Sequence, residues 1–234
     1  MLTASNLFYA LAGGILPAMF WLWFWLREDP HPEPRRILIL TFSTGILMVP
    51  IALLLEKSVY QVAIWLNLVK IGSTGLGLLV IWAAIEEYLK YFAAKKAAFK
   101  RPTFDEPVDA PIYLITAALG FAAMENVLFL FKALDQTGII AGLLTGNLRF
   151  LGATLLHTVT SALLGASIAF SFFHKEHRQR NVIGGLLLAI VLHTVFNFFI
   201  IKQEGVNNFN ILFALWITAI ILIYIFEKIK RIRN

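Results

Sequence analysis

Ionisable and amide side chains lie inside four strongly apolar segments of this sequence. They are Glu86, Glu87 and Lys90 in one segment, Glu125 and Asn126 in a second, His157 in a third, and His193 and Asn197 in a fourth. If these segments cross a bilayer, each unpaired charge costs about 2.5–3.5 kcal/mol, and four cost about 10–14 kcal/mol, comparable to the whole stability of a domain. We therefore expect the side chains to face one another, or a water-filled cavity, at one polar site.

Helical spacing predicts which of these groups can act together. Residues three or four apart share a helix face, which places Lys90 beside both Glu86 and Glu87. The two adjacent glutamates differ by about 100° around the helix axis, so they cannot point equally at one site. One of them is expected to act on the substrate and the other to support it.

A carboxylate held in such a site can act as a general base towards water, which is a route to peptide-bond hydrolysis. We predict that Glu86 takes the proton and that Glu87, Glu125 and Lys90 control its protonation and orientation. The sequence has no cysteine and no Gly-x-Ser-x-Gly turn, so a covalent nucleophile has little support. No cofactor is expected in this mechanism.

The two membrane histidines have two possible roles. His157, or His193 with Asn197, could donate hydrogen bonds to the developing oxyanion. Alternatively, Glu86, Glu125, His157 and His193 could hold a catalytic zinc ion with one open coordination position. The His-Glu-x-x-His helix that would make a zinc site specific is absent from the sequence.

The composition places the chain among membrane proteins. Of its 234 residues, 59% are hydrophobic and 15% are charged, and the mean hydropathy is +0.76. Soluble domains have about 25% charged residues, so this chain has too little polar surface to cover itself in water. The net charge of +6 comes from short basic clusters between apolar runs, which is typical of membrane topology and does not indicate nucleic-acid binding.

Seven apolar runs are long enough to cross a hydrocarbon core of about 30 Å as helices. They cover residues 7–26, 37–55, 72–95, 109–131, 147–173, 182–201 and 209–227. Two shorter apolar stretches, 59–69 and 139–146, are interpreted as interfacial, re-entrant or extensions of neighbouring helices, and an eighth span stays open. We predict an all-α, polytopic bundle that forms one domain over residues 1–234.

Basic residues predict the orientation of this bundle. Arginine and lysine are concentrated after the first, third, fifth and seventh runs, which places the N-terminus outside and the C-terminus in the cytoplasm. Depths estimated at about 1.5 Å per residue put the polar site near mid-membrane, slightly towards the outside. Two further residues are expected to support it: Asn126 by interhelical hydrogen bonding, and Arg149 by reaching the headgroups or neutralising the carboxylates.

Taken in order, these segments resemble the PrsW family of glutamic intramembrane proteases, a branch of the superfamily that contains the CAAX prenyl proteases and bacteriocin-processing enzymes. The motifs are Glu86-Glu87-Tyr88-Leu89-Lys90, Gly120-Phe121-Ala122-Ala123-Met124-Glu125-Asn126, His157, His193-Thr194-Val195-Phe196-Asn197 and the loop Glu28-Asp29-Pro30-His31-Pro32-Glu33-Pro34. By position, the resemblance implies that the catalytic residues are Glu86, Glu87, Glu125, His157 and His193. The CAAX branch has histidine where Glu125 stands, which makes prenyl-protein processing a weaker expectation.

The resemblance also implies a substrate and a location. The expected activity is the first cut in a single-span anti-sigma factor, near its extracytoplasmic side, in a bacterial or archaeal plasma membrane. The expected partners are therefore a single-span membrane protein and the lipid bilayer, with no nucleic acid. The residues alone leave two other classes open: a proton-coupled transporter, because intramembrane acids and histidines also mark ion paths, and a non-catalytic membrane binding protein.

Overall fold

The computed structural model describes residues 4–137, 139–202 and 208–232, with the backbone alone at 137, 139–151, 200–202 and 208–212. The regular elements in these ranges are all α helices. They are α1 (Ala4–Leu26), α2 (Arg35–Trp65), α3 (Leu76–Ala97), α4 (Asp109–Thr137), α5 (Ile139–Ala169), α6 (Lys175–Lys202) and α7 (Asn208–Ile229). The prediction of an all-α protein is confirmed for the described part of the chain.

Within the described residues, five helices are long and apolar enough to cross a membrane. They are α1, α2, α4 over Asp109–Gln136, α5 over Gly152–Ala169 and α6 over Lys175–Phe199. Helix α3 has 22 residues, but Glu86, Glu87 and Lys90 interrupt its apolar run. Several helices of this length and composition identify a membrane protein.

Several helices extend beyond the predicted apolar runs. Helix α2 continues past residue 55 to Trp65, α5 begins at Ile139 rather than 147, and α6 begins at Lys175 rather than 182. Hydropathy detects the part of a helix that can lie in hydrocarbon, whereas backbone hydrogen bonding continues through polar turns. The stretches 59–65 and 139–146 are therefore extensions of α2 and α5. Helix α3 begins later than predicted, because the chain turns at Gly72, whose φ is +80°.

Helix α4 lies at the centre, where it packs against α1, α2, α3 and α5. Its close approach to α2 requires glycine on both helices. A Cβ on Gly120 would overlap the backbone carbonyl of Phe42, and one on Gly45 would overlap that of Ala117. Small residues at a helix crossing let the backbones make van der Waals contact, which drives helix association in lipid. This packing fixes the position of the part of α4 that carries Glu125.

The proline-rich loop between α1 and α2 is joined to the region around the start of α4. The Tyr113 hydroxyl donates a hydrogen bond to Glu33, and the His31 ring lies 2.9 Å from Glu106, measured from Nδ1 to Oε2. Asp109, the first residue of α4, accepts hydrogen bonds from backbone N–H groups of the preceding turn. The loop therefore connects α1 and α2 to the central helix.

Candidate active site

Helices α3, α4, α5 and α6 bring the five predicted catalytic residues into one group inside the bundle. Helix α3 contributes Glu86 and Glu87, α4 contributes Glu125, α5 contributes His157 and α6 contributes His193. Each glutamate has a polar atom within 3.7 Å of a histidine ring nitrogen. Four helices that are distant in sequence therefore share one polar site.

Glu87 and Lys90 form a fully buried ion pair at the centre of the group. Lys90 Nζ lies 2.6 Å from Glu87 Oε1, and both side chains are 0% exposed. Lys90 Nζ also lies 2.9 Å from His157 Nδ1 and 5.7 Å from the centre of the Phe121 ring. The ammonium therefore has an anion, a neutral acceptor and an aromatic face around it, which are the partners that a buried cation needs.

The contacts of the two histidines assign their protons. Lys90 can only donate, so His157 Nδ1 accepts, and His157 Nε2–H donates to Glu125 Oε2 at 2.8 Å. His193 donates from Nδ1 to Glu87 Oε1 at 2.7 Å, which leaves its Nε2 lone pair available. Glu125 and Glu87 thus fix the tautomer and ring orientation of one histidine each.

Glu86 has different surroundings from Glu87. Its Oε2 lies 3.7 Å from His193 Nε2, beyond hydrogen-bond distance. No donor among the residues that the structure describes reaches this buried oxygen. A carboxylate oxygen and an imidazole lone pair at this separation can both contact one water molecule or one cation.

These groups face a cavity of about 220 Å³. Its polar lining consists of Glu56, Glu86, Glu125, His157, His193 and Asn197. Its apolar lining consists of Leu79, Trp82, Ala153, Leu156 and Phe196. A cavity with apolar walls and a few convergent polar groups is the expected form of an active site.

Among the lining residues that can form hydrogen bonds through their side chains, the sequence prediction does not include Glu56 and Trp82. Glu56 follows the predicted end of the second span, so the sequence presents it as a charge at a helix end. The apolar stretch from residue 59 is the signal that could have identified it, because a helix that continues past Glu56 places this residue inside the bundle. Trp82 lies four residues before Glu86 and by type alone resembles a packing residue.

The predicted supporting residues have different positions. Asn197 lines the cavity. Asn126 donates from Nδ2 to Thr154 Oγ1 at 3.0 Å, so it joins α4 to α5. The side chain of Arg149 lies outside the described residues, and its expected role stays a prediction.

A zinc ion fits the residues of this group. Glu86, His157 and His193 can each offer one ligand atom, and these atoms lie within 4.8 Å of one another. Two imidazoles and a carboxylate form a common catalytic zinc site. Glu87 accepts a hydrogen bond from His193 Nδ1 and so orients the ring of a possible zinc ligand. Both ring nitrogens of His157 are in hydrogen bonds, so this histidine must release one partner to become a ligand.

Known proteins resemble this chain over most of its length. The sequence profile described as "PrsW family intramembrane metalloprotease" matches residues 33–225. Protease PrsW of Geobacillus kaustophilus is 25% identical over 217 residues, which cover 92% of this chain and 90% of the relative. Protease PrsW of Oceanobacillus iheyensis is 25% identical over 215 residues, covering 90% and 92%, and that of Clostridioides difficile is 26% identical over 193 residues, covering 81% and 78%. No solved structure matches the chain.

Proposed function

Because the chain belongs to the PrsW family of intramembrane proteases, we propose that the cavity at Glu86 is where it hydrolyses a peptide bond. The family makes the chain a protease, which is a hydrolase, and the apolar helices make it a membrane protein. One observation carries the proposal about the place. Glu86 Oε2 is a buried acceptor without a donor in the described ranges, and it faces the free Nε2 of His193. A water molecule can contact both atoms and be activated there.

The proposed reaction begins when the water oxygen attacks the scissile carbonyl carbon while Glu86 accepts a proton from the water. The carbonyl π electrons move to the oxygen; the Asn197 amide donates a hydrogen bond to the oxyanion, and so does His157 Nε2–H after it leaves Glu125. The C–N bond then breaks, and the proton held by Glu86 passes to the leaving amine nitrogen. No bond between enzyme and substrate forms.

Glu87, Lys90 and Glu125 act as positioning residues in this mechanism. Glu87 holds His193 by its Nδ1–H, so that Nε2 is directed at Glu86. Lys90 joins Glu87 to His157 and gives the site a fixed positive charge. A preorganised set of donors and charges stabilises the transition state without having to rearrange during the reaction.

The description of the family implies a metal ion, and Glu86, His157 and His193 would hold it. Zinc bound there supplies a water that ionises near neutral pH and a positive charge beside the scissile carbonyl. With Glu86 as a ligand, Glu125, which lines the same cavity, would be the carboxylate that accepts a proton. The two forms of the proposal use the same cavity and differ in which glutamate takes the proton.

The proposal extends to the substrate and the topology. The substrate is a single-span membrane protein, and the activity is the first cut of an anti-sigma factor; the resemblance of the sequence motifs to the PrsW family supports this. The basic clusters support seven spans in a cell membrane, with the N-terminus outside and the C-terminus in the cytoplasm. The substrate is therefore expected to be cut near its extracytoplasmic side.

Cleavage by the purified protein tests the proposal. The protein is reconstituted in lipid vesicles with a single-span anti-sigma factor, and products are identified by mass spectrometry. We expect one discrete cut, and we expect Glu86→Gln to lower its rate by at least about 100-fold, as removal of a general base does. Glu227→Gln is the matched control, because Glu227 lies at the exposed end of α7 next to Lys230.

Two results would overturn the assignment. Full cleavage by Glu86→Gln removes Glu86 from the mechanism. Equal loss of cleavage in Glu227→Gln shows that any such substitution damages the protein, and that the cavity has no special role.

A further inference from the structure

A second cavity, of about 340 Å³, lies beside the active-site cavity, where α2 ends and α3 begins. We call it the outer cavity; its lining includes Leu53, Glu56, Tyr60, Ser73 and Trp82. Glu56 and Trp82 line both cavities. The two cavities therefore share a wall: the outer cavity lies between α2 and the start of α3, and Glu86 lines the active-site cavity on the other side of that wall.

Trp82 presents a hydrogen-bond donor at this shared wall. Its indole Nε1 is buried, and no acceptor in the described part of the chain contacts it. Trp82 and Glu86 are four residues apart on α3, so they lie on the same face, one turn apart. The Tyr60 ring packs 6.4 Å from the Trp82 ring, and the Tyr60 hydroxyl accepts a hydrogen bond from Gly72 N–H at 2.8 Å. Tyr60 therefore holds the Trp82 ring in place, with its N–H at the shared wall.

Glu56 presents a carboxylate at the same wall. It is partly buried, and none of the ion pairs within the described residues includes it. The charged groups that act on it come from other acids: Glu125 of α4 and Glu86 of α3. Three carboxylates from three helices therefore line the active-site cavity, and Glu56, which also lines the outer cavity, is the one that can attract a positively charged group there.

A substrate segment must leave its helical form before it can be cut, and its released backbone groups then need partners inside the membrane. We propose that the outer cavity binds the extended substrate segment next to the scissile bond. Trp82 Nε1–H donates to a backbone carbonyl of this segment, and Glu56 binds a basic side chain of the substrate. This inference rests on the proposed function, because it places the substrate relative to Glu86.

The same geometry defines a substrate preference. A lysine or arginine beside the scissile bond meets Glu56, whereas an aspartate or glutamate meets a half-buried carboxylate of like charge. Lys57 also lines the outer cavity, but it is exposed, so water and salt screen its charge. The preference is therefore for basic over acidic residues, with neutral residues between them.

Binding to the full-length Glu86→Gln protein tests this without requiring catalysis. Three versions of one synthetic single-span peptide carry lysine, glutamine or glutamate throughout the juxtamembrane segment, and their dissociation constants are measured in vesicles of neutral lipid. We expect the lysine peptide to bind at least about tenfold more tightly than the glutamate peptide. Adding Glu56→Gln should reduce this ratio to about twofold or less, whereas adding Glu227→Gln should leave it unchanged.

A second substitution tests the proposed hydrogen bond from Trp82 Nε1–H to the substrate backbone. Trp82→Phe keeps an aromatic ring and removes the N–H, so we expect it to weaken binding of all three peptides by about threefold to tenfold. Trp65→Phe is the matched control, because Trp65 is 79% exposed at the end of α2. Equal weakening by both substitutions would contradict a specific role of Trp82.

Cross-linking checks the position even if a variant folds poorly. Since the chain has no cysteine, Ser73→Cys introduces one thiol at the outer cavity and Ile220→Cys introduces one on the exposed face of α7. A peptide with one juxtamembrane cysteine should form a disulfide with the first variant at least about tenfold faster than with the second.

These results separate the inference from the proposed function. Equal affinity for the three peptides, or a charge preference that persists in Glu56→Gln, overturns the inference even when the wild-type protein cuts its substrate. If the peptides bind as expected and the wild-type protein does not cut them, substrate binding at the outer cavity is supported and the proposed hydrolysis at Glu86 is wrong.

Discussion

Glu86 and Glu87 are consecutive residues of α3, and their carboxylates have opposite surroundings. Glu87 Oε1 lies 2.6 Å from Lys90 Nζ and 2.7 Å from His193 Nδ1. Glu86 Oε2 faces the cavity, 3.7 Å from His193 Nε2, and no described residue donates to it. Adjacent helix positions differ by about 100°, so the Glu87 carboxylate contacts Lys90 and His193 while the Glu86 carboxylate faces the cavity.

We expect substitution of these two glutamates to separate activity from stability. Glu86→Gln should lower the cleavage rate by at least about 100-fold with little change in thermal unfolding, because the buried Glu86 Oε2 accepts no hydrogen bond in the described ranges. Glu87→Gln should lower both, because it leaves the buried Lys90 ammonium without its anion, at a cost of about 3–5 kcal/mol. Cleavage assays and thermal unfolding in detergent measure the two effects. Equal unfolding temperatures for the two variants would contradict the ion-pair argument.

Removing both members of the buried ion pair should be less harmful to stability than removing one. Lys90→Met alone leaves Glu87 as a buried charge, with an expected loss of about 3–5 kcal/mol, whereas Lys90→Met with Glu87→Gln leaves no unpaired charge. We expect the double variant to recover most of the lost unfolding free energy, measured by chemical denaturation in micelles, and to stay inactive. Additive losses would show that the pair does not account for the cost.

Metal binding should depend on Glu87 although Glu87 is not a predicted ligand. In the zinc-dependent form of the proposal we expect one Zn²⁺ per chain, measured by competition with a chromogenic chelator. His193→Ala should abolish this binding, and Glu87→Gln should weaken it by about 10–100-fold, because it removes the partner of His193 Nδ1. His174→Ala is the control, because His174 is exposed after α5. Zinc binding that is unaffected by His193→Ala would remove this group of residues as the site.

The loop between α1 and α2 should be more firmly closed at low pH. Burial raises the pKa of the Glu33 carboxyl, although the hydrogen bond from Tyr113 offsets part of the effect, and burial likewise raises the pKa of Asp29. An acid with a raised pKa stabilises the folded state below its ordinary value of about 4, and that contribution is lost as the pH rises through the raised pKa. Hydrogen exchange of residues 28–34 should therefore be slower near pH 5 than near pH 8, after correction for intrinsic rates. Glu33→Gln should reduce the difference, and an unchanged difference would contradict this origin.

Two glycine substitutions test the packing of α2 on α4. Gly120→Ala should destabilise the protein by more than about 2 kcal/mol, because the new Cβ overlaps the backbone carbonyl of Phe42, which cannot move independently. Gly184→Ala on α6 is the matched control: nothing lies within 4 Å of its Cβ position. It should raise helix stability by about 0.5–1 kcal/mol. Thermal unfolding of both variants measures the contrast, and similar losses would contradict it.

The sequence could predict a membrane bundle and a group of ionisable residues, because lipid makes isolated charges costly at any depth. The choice of Glu86 as the acting residue could not be derived from spacing alone, because spacing gives the relative angle of Glu86 and Glu87 and not the rotation of α3 in the bundle. Glu56 was missed for another reason: the apolar pattern ends at residue 55, while α2 continues to Trp65. The contact between Lys90 and His157 was also beyond prediction, because it depends on the relative height of α3 and α5.

That last contact has a mechanical consequence. A hydrocarbon solvent exerts no directional force along a helix axis, so the relative height of two helices depends on their packing and on their polar contacts. A slide of one residue is about 1.5 Å, which is enough to separate Lys90 Nζ from His157 Nδ1, now 2.9 Å apart. The series of polar contacts from His193 through Glu87 and Lys90 to His157 therefore fixes the positions of α6, α3 and α5 relative to one another along their axes. The contacts that orient the two histidines for chemistry therefore also hold α3, α5 and α6 at their relative heights.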